Sequence, residues 1–300
     1  MLPSALTPAS KPRASRVAVL TALALVAFAG NSLLCRTALR HGAIDAASFT
    51  AIRMLSGALM LGLLAGIRRR TEPSSQTSLK KTHGSWLSAI ALFAYAAAFS
   101  FAYLSLSAAT GALLLFGAVQ VTMIGHGLWR GERMHAAQWL GLAVAFAGLV
   151  VLLMPGLQAP PWQGAGLMLA AGAAWGAYSL RGRGVGDPLQ ATAGNFLRTL
   201  PMVALLSLLA RGSITADAQG LMAAVVSGAV ASGLGYAIWY TALPALRATS
   251  AAIVQLSVPV LAAVGGIFWL GEPLTLRFVV AAVAVLGGIA LVTLVRAPRQ

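Results

Sequence analysis

The chain has 300 residues, of which 59% are hydrophobic and 9% are charged, and its formal net charge is +15. Soluble domains carry about 25% charged residues because their surfaces must be hydrated, so this composition excludes a soluble globular protein. Apolar runs fill the chain almost end to end, which indicates a polytopic membrane protein.

Ten apolar segments follow one another, each long enough to cross about 30 Å of hydrocarbon as a helix. Their connections are short, so successive helices should be antiparallel and form one bundle. The predicted transmembrane helices cover residues 17–37, 46–67, 85–106, 108–129, 136–154, 162–180, 189–210, 217–241, 247–270 and 275–295.

Residues 1–16 are rich in proline and serine, which predicts a disordered N-terminal segment on the cytoplasmic side. The basic residues of this segment and the apolar run that follows also resemble a cleavable signal peptide. The first apolar run has a counterpart in the second half of the chain, which favours a retained first helix.

Basic residues are distributed unevenly between the two sides of the predicted bundle. With a cytoplasmic N-terminus, 15 of the 21 Lys and Arg residues fall in cytoplasmic segments and four fall outside. This positive-inside distribution predicts a multi-pass membrane protein with both termini in the cytoplasm. The excess charge faces anionic lipid, and no basic soluble face exists to bind nucleic acid.

The second half of the chain repeats the first. Trp129-Arg130-Gly131-Glu132 matches Trp269-Leu270-Gly271-Glu272, which lies 140 positions later, and Arg53 matches Arg198. Each half has five helices, so the second half should be inserted upside down. The predicted fold is therefore an all-α membrane protein with ten transmembrane helices in two inverted five-helix repeats, residues 17–154 and 162–295. Inverted repeats are typical of secondary transporters that work by alternating access.

Several motifs carry a family resemblance that covers residues 17–295. Gly-Glu pairs at 131–132 and 271–272 follow the fourth helix of each half, Trp175-Gly176 lies in the sixth helix, and Pro259 lies in the ninth. In this order they resemble the EamA branch of the drug/metabolite transporter superfamily. The chain departs from that family's pattern in having Phe28-Ala29 for a usual Trp-Gly and Gln120 or Val119 in place of a proline.

The resemblance implies export of amino acids or related metabolites across the inner membrane of bacteria, and the chain resembles aromatic amino-acid exporters of the YddG type. We predict a central cavity lined by helices one, three, four, six, eight and nine, and in the family that the chain resembles, helices five and ten lie outside this core.

Two arginines, Arg53 and Arg198, lie within predicted helices two and seven. Ionisable groups inside a membrane are costly and are often functional, so each is a candidate for binding a substrate carboxylate. Alternatively, each binds helix carbonyls or extends to the interface, and their matching positions in the two repeats favour this structural role.

Acidic residues are absent from the interior of the predicted helices. Glu132 and Glu272 lie at helix ends, where they should cap helices five and ten or accept hydrogen bonds at a gate. His126 is the one histidine within a predicted helix, and packing as a neutral side chain is favoured over proton relay. The sequence therefore predicts downhill export without proton coupling.

Aromatic side chains recur at helical spacing. This pattern is typical either of an interfacial belt or of the wall of an apolar cavity. Three polar residues near mid-membrane are candidates to anchor a substrate, because an unpaired amide in hydrocarbon is costly. The aromatic candidates are Tyr95, Phe99, Tyr103, Trp175, Tyr178 and Trp239, and the polar candidates are Asn31, Gln120 and Gln255. Gly62-x-x-x-Gly66 and Gly172-x-x-x-Gly176 should permit close helix approach.

The predicted function is a secondary transporter that exports amino acids with aromatic or other hydrophobic side chains. A multidrug or nucleotide-sugar-like exporter of the same fold is the main alternative, and a channel is a third. An intramembrane enzyme is disfavoured because the chain has no His-Glu-x-x-His motif and no serine with a clear base. Cys35 is the single cysteine, which excludes an internal disulfide, and the sequence predicts no metal and no cofactor.

Overall fold

The computed structural model describes residues 14–71, 84–131, 133–156, 159–182, 185–246 and 254–295. Most of the N-terminal segment predicted to be disordered lies outside these ranges. The described chain folds into ten helices: α1 Ala14–Arg40, α2 Ala46–Thr71, α3 Trp86–Ala102, α4 Ala108–Trp129, α5 Ala136–Leu153, α6 Trp162–Gly182, α7 Pro188–Leu209, α8 Ala218–Ala242, α9 Ser257–Leu270 and α10 Leu276–Leu294.

The prediction of an all-α, multi-pass membrane protein is confirmed. Seven of the described helices are long and apolar enough to cross a membrane. The α3 and α9 helices are shorter, at 17 and 14 residues. Helix three was predicted to reach residue 106, but it ends at Ala102 because a turn follows, in which the Leu106 N–H donates to the Ala102 carbonyl. Residues 247–253, predicted to open helix nine, lie outside the described ranges.

Several helices begin at a side chain that accepts a backbone hydrogen bond from the first turn. Asp187 caps α7 through the Gln190 N–H, and Pro188 follows in the first turn, where its missing N–H costs nothing. Ser107 caps α4 in the same way through the Thr110 N–H. These caps set the short connections and hence the antiparallel packing of neighbours.

The α5 and α10 helices pack closely on each other. A Cβ atom added at Gly141 would lie 2.6 Å from the Gly288 carbonyl oxygen, and one added at Gly148 would lie 2.8 Å from the Ala284 Cβ atom. Such close contact between backbones is possible only with glycine at these positions.

Only one of the two predicted Gly-x-x-x-Gly motifs packs against another helix. In α6, a Cβ atom at Gly172 would lie 2.5 Å from the Leu115 carbonyl oxygen of α4, and one at Gly176 would lie 2.9 Å from Thr122. At Gly62 and Gly66 an added Cβ atom would meet no described heavy atom within 4 Å. The prediction for Gly62 and Gly66 is therefore wrong, because that face of α2 turns away from the bundle.

The α8 helix changes its winding halfway along. Residues Ser227–Leu234 form a π-helix between the α-helical segments Ala218–Val226 and Gly235–Ala242. Such segments are rare and frequently lie at functional sites. This one lies against α2, where it meets the site described next.

Candidate transport site

A central cavity lies inside the bundle and has two lobes that share Phe28, Trp175, Tyr236 and Gln255. The deep lobe has a volume of about 20 Å³, enough for one water molecule, and the wide lobe a volume of about 360 Å³. The lining residues come from α1, α3, α4, α6 and α8, from the residues that follow α8, and from Gln255, which lies just ahead of α9.

The wide lobe extends toward one end of the bundle. We call this the basic end, because α2, α4 and α6 finish there with Arg68, Arg69, Arg70, Arg130 and Arg181. The lobe reaches it between Met123 of α4, Gly182 of α6 and Leu246, which follows α8.

Aromatic rings form a continuous wall around the cavity. The Trp175 ring lies 4.9 Å from the Tyr95 ring and 5.1 Å from the Tyr236 ring, measured between centroids. Phe28 makes edge contacts of 5.9 Å with both Tyr236 and Trp239. Tilted and edge-on ring pairs of this kind stabilise one another beyond their burial, so the wall is well ordered.

Polar groups gather at the base of the deep lobe. The Tyr95 hydroxyl oxygen accepts a hydrogen bond from the Arg53 Nη2 atom at 2.9 Å and another from the Asn31 Nδ2 atom at 3.4 Å. The π-helical segment supplies two serines: Ser227 donates to the Asn31 Oδ1 atom at 2.7 Å, and Ser232 accepts from the Arg53 Nε atom at 3.2 Å.

Arg53 lies directly behind this base and does not itself line the cavity. Its side chain has no exposed surface, and its guanidinium carbon lies 4.9 Å from the Phe99 ring centroid. Its Nη1 atom is buried without a hydrogen-bond partner among the described residues. The guanidinium therefore acts on the cavity through Tyr95 and Ser232.

The structure brings eight of the eleven predicted site residues to a cavity. The deep lobe is lined by Asn31, Tyr95 and Phe99, and the wide lobe by Gln120 and Trp239. Both lobes are lined by Trp175 and Gln255. Tyr178 lines a polar side cavity of about 320 Å³ at the basic end, together with Arg181, Asn195 and Tyr240.

Two further predicted residues, besides Arg53, lie away from these cavities. Tyr103 is fully buried near the opposite end, where its hydroxyl donates to the Ala108 carbonyl at 3.3 Å and its ring packs on Phe99. Arg198 is half-buried on α7, and its Nη1 atom donates to the Gly194 carbonyl of its own helix at 2.9 Å.

The lining or supporting residues that were not predicted as site residues include Phe28, Ser227, Ser232 and Tyr236. Tyr236 lies three positions before Trp239, so its place on the same helix face was available from the sequence. The serines gave no signal, because small residues in a glycine-rich helix usually reflect packing.

At the end of the bundle opposite the basic end, which we call the sealed end, an ion pair joins three helices and a turn. The Arg36 Nε atom lies 3.2 Å from the Glu272 Oε1 atom, and Arg36 Nη1 also donates to the Tyr103 carbonyl at 2.9 Å. The second Glu272 oxygen accepts the Ala108 N–H at 2.9 Å, where α4 begins. These contacts hold α1, α3, α4 and the α9–α10 turn together.

Of the two roles predicted for Glu272, capping helix ten and accepting hydrogen bonds at a gate, the structure shows no cap, but the carboxylate accepts hydrogen bonds at the sealed end. Gly271 adopts a left-handed conformation, with φ of 61°, and the chain turns so that Glu272 points to α4. Thr275 caps α10 instead. The corresponding prediction for Glu132 falls on a residue outside the described ranges.

A second link at the sealed end joins the α1–α2 turn to the α7–α8 turn. Ile44 pairs with Ala216 as an isolated antiparallel bridge, and the Asp45 carboxylate accepts the Thr215 N–H at 3.1 Å. Burial raises the pKa of Asp45, but hydrogen bonds from Ser48 and Thr215 outweigh it and hold the pKa below its usual value. The carboxylate is therefore ionised at neutral pH and holds the two turns together.

A bundle of membrane-spanning helices, with an aromatic cavity inside it and polar contacts closing one end, defines a membrane transport protein. The chain belongs to the EamA-like transporter family, whose model matches residues 15–154 and again residues 162–294. This family consists of membrane transporters, and its two matches cover the two halves of the repeat.

Two relatives and one solved structure illustrate the similarity. An uncharacterized protein of Pseudomonas aeruginosa is 58% identical over 277 residues, 92% of this chain and 94% of that protein. A protein of Streptantibioticus cattleyicolor named "probable terminal-alkyne amino-acid exporter" is 29% identical over 189 residues, 61% of this chain and 63% of that protein. A crystal structure of 21% identity shares the fold with a TM-score of 0.65, covering 94% of this chain and 99% of that one.

Proposed function

We propose that the protein exports amino acids with aromatic or other hydrophobic side chains from the bacterial cytoplasm by alternating access. The observation that carries the proposal is the aromatic cavity with hydrogen-bonding groups at its base. Apolar walls with a few convergent polar groups are typical of sites for small organic ligands. The name of the Streptantibioticus cattleyicolor relative, an amino-acid exporter, supports the same substrate class.

The substrate fits this cavity in one orientation. Its side chain lies in the wide lobe, against the rings of Trp175, Tyr236 and Phe28, and its carboxylate points to the deep lobe and accepts a hydrogen bond from Tyr95. Its ammonium group meets the carbonyl oxygen of Gln120 or Gln255 and the faces of the aromatic rings. Arg53 holds Tyr95 in place from behind.

The proposal includes an inner-membrane location, an inverted arrangement of the repeats 17–154 and 162–295, and cytoplasmic termini. The basic end then faces the cytoplasm, as the positive-inside rule requires. The wide lobe lies toward the cytoplasm, and the contacts of Arg36, Glu272 and Asp45 close the outer side. This is the conformation that receives a substrate for export.

Phosphorylated substrates such as nucleotide sugars fit the cavity less well. Binding phosphate groups requires several Arg or Lys side chains. The described lining of the central cavity contains neither residue type, and Arg53 lies behind it.

Counterflow of radiolabelled phenylalanine into proteoliposomes tests the proposal, with Trp175→Ala as the diagnostic variant. Burying a large apolar side chain stabilises by about 1.5–3 kcal/mol, so losing the Trp175 wall should raise the KM for phenylalanine about tenfold or more. Alanine, which does not reach the wall, should be affected much less.

Trp162→Ala is the matched control, because Trp162 lies on the same helix and is 80% exposed, away from the cavity. It should transport like the wild type. Tyr103→Ala, which removes a ring packed behind Phe99, should have an intermediate effect. If the wild type fails to exchange phenylalanine, or folded Trp175→Ala exchanges it normally, the proposal is wrong.

A further inference from the structure

We propose that the central cavity also carries aromatic carboxylates that lack an amino group, as anions, and that the inside-negative membrane potential drives their exit. The inference rests on the proposed function, because it concerns the same cavity, and it names a further substrate class for that cavity. It follows from the charge balance around Arg53.

Arg53 is a buried cation without a carboxylate partner in the part of the chain that the structure describes. Among the described residues, the ion pairs are Arg36 with Glu272 and Arg68 with Asp187, and neither involves Arg53. Its neighbours are neutral: Tyr95, Ser232 and the ring of Phe99. A buried charge without a counter-ion is costly, so an anion in the adjoining lobe is favoured.

The Tyr95 hydroxyl transmits this preference to the cavity. A phenol has one hydrogen to donate and two lone pairs to accept with. Its oxygen already accepts from Arg53 and from Asn31, and Ser227 fixes the orientation of the Asn31 amide. The Tyr95 hydrogen is left to donate into the lobe that Tyr95 lines, and a carboxylate is the strongest acceptor for it.

The ammonium group of an amino acid finds no comparable partner. The chain has six acidic residues, and the four that the structure describes, Asp45, Asp187, Asp217 and Glu272, line neither lobe. The groups that face the ammonium are neutral amides and rings. The carboxylate is therefore required for binding and the ammonium is dispensable, whereas an amine without a carboxylate is repelled by Arg53.

Charge also sets the driving force. A zwitterion carries no net charge and leaves only down its own gradient, whereas an anion is pushed out of a negative interior. A potential of about 60 mV corresponds to about a tenfold concentration ratio for one charge. A coupling ion is then unnecessary, in agreement with the absence of acidic residues from the predicted helix interiors.

Paired substrates test the inference in proteoliposomes of the full chain. Phenylalanine and 3-phenyllactate differ only in an ammonium and a hydroxyl group, and 2-phenylethylamine keeps the ammonium without the carboxylate. A potassium gradient with valinomycin sets the vesicle interior positive by about 60 mV, and protein-free vesicles give the background leak. We expect 3-phenyllactate to accumulate about tenfold. Phenylalanine should only equilibrate, and 2-phenylethylamine should neither enter nor compete.

Two variants connect the result to the site. Arg53→Gln removes the buried cation and should weaken competition by 3-phenyllactate at least tenfold. Tyr95→Phe removes only the hydroxyl and keeps the ring in the wall. It should weaken competition by 3-phenyllactate to a similar extent. The second variant keeps the test valid if loss of Arg53 prevents folding.

The outcomes separate this inference from the proposed function. If phenylalanine exchanges but 3-phenyllactate neither competes nor responds to voltage, the inference is overturned and the amino-acid exporter stands. If 3-phenyllactate accumulates with voltage and phenylalanine does not move, the inference holds and the amino-acid substrate is wrong. If neither moves, both are overturned.

Discussion

Arg53 lies in α2 with no exposed surface, whereas Arg198 lies half-buried in α7 and bonds to the carbonyl of Gly194. The two residues match in the sequence repeat, and the fold uses them differently. Arg198 donates a hydrogen bond to a carbonyl of its own helix. Arg53 reaches across to Tyr95 of α3 and Ser232 of α8, so it connects three helices beneath the cavity.

This difference predicts different effects of the same substitution. Arg53→Gln should raise the KM for phenylalanine about tenfold or more, because hydrogen bonds to charged groups contribute about 1.5–3 kcal/mol. Arg198→Gln should change it less than about threefold. Counterflow kinetics of the two purified variants, checked for folding by gel filtration, provide the comparison. Equal losses in both would mean that the arginines share one structural role.

At the scale of elements, α8 is the helix on which the site depends most. Its π-helical segment presents Ser227 to α1 and Ser232 to Arg53, and its last turns carry Tyr236 and Trp239 into the wall. The segment can lie this close to α2 because Gly228 has no side chain. A Cβ atom there would lie 2.8 Å from the Arg53 carbonyl carbon and would collide with the Arg53 carbonyl oxygen and the Ser56 hydroxyl.

Gly228→Ala should therefore lower the thermal unfolding temperature in detergent and reduce phenylalanine exchange. Overpacking of this kind costs about 1–3 kcal/mol. Gly62→Ala is the matched control, because Gly62 lies in a helix and faces open space. It should stabilise slightly, since alanine favours a helix over glycine by about 0.5–1 kcal/mol. Equal melting temperatures for the two variants would contradict the close packing of α8 on α2.

At the scale of the whole molecule, the fold was predictable because the bilayer leaves few alternatives. Backbone groups in lipid must bond within their own segment, so apolar runs of about 20 residues become helices. The confirmed features are the ten helices and membership of the EamA family. In the structure, local caps at Asp187 and Ser107 set where α7 and α4 begin.

The site was predictable only in part, because rotation of each helix about its axis is set by packing. The stripe of Tyr95, Phe99 and Tyr103 was visible in the sequence, but it did not reveal that Tyr103 packs behind the cavity. The left-handed turn at Gly271, which sends Glu272 to α4, depends on a contact 164 positions away in the chain. No pattern within one helix encodes such contacts.

The orientation in the membrane is a prediction for the whole molecule. In a Cys35→Ser background, a cysteine at Gln158 should react with an impermeant thiol reagent from outside the cell. One at Gln76 should react only after permeabilisation, because the basic end faces the cytoplasm under the positive-inside rule. The reverse labelling would place the wide lobe on the outer side and would contradict export from this conformation.

Anomalous diffraction from crystals grown with 4-bromophenylalanine tests the central claim most directly, because the bromine marks the position of the substrate side chain. The account predicts a bromine peak inside the wide lobe of the central cavity, beside the rings of Trp175 and Tyr236. A peak in the polar side cavity beside Arg181, or no peak in crystals soaked to saturation, would contradict the assignment of the central cavity as the transport site.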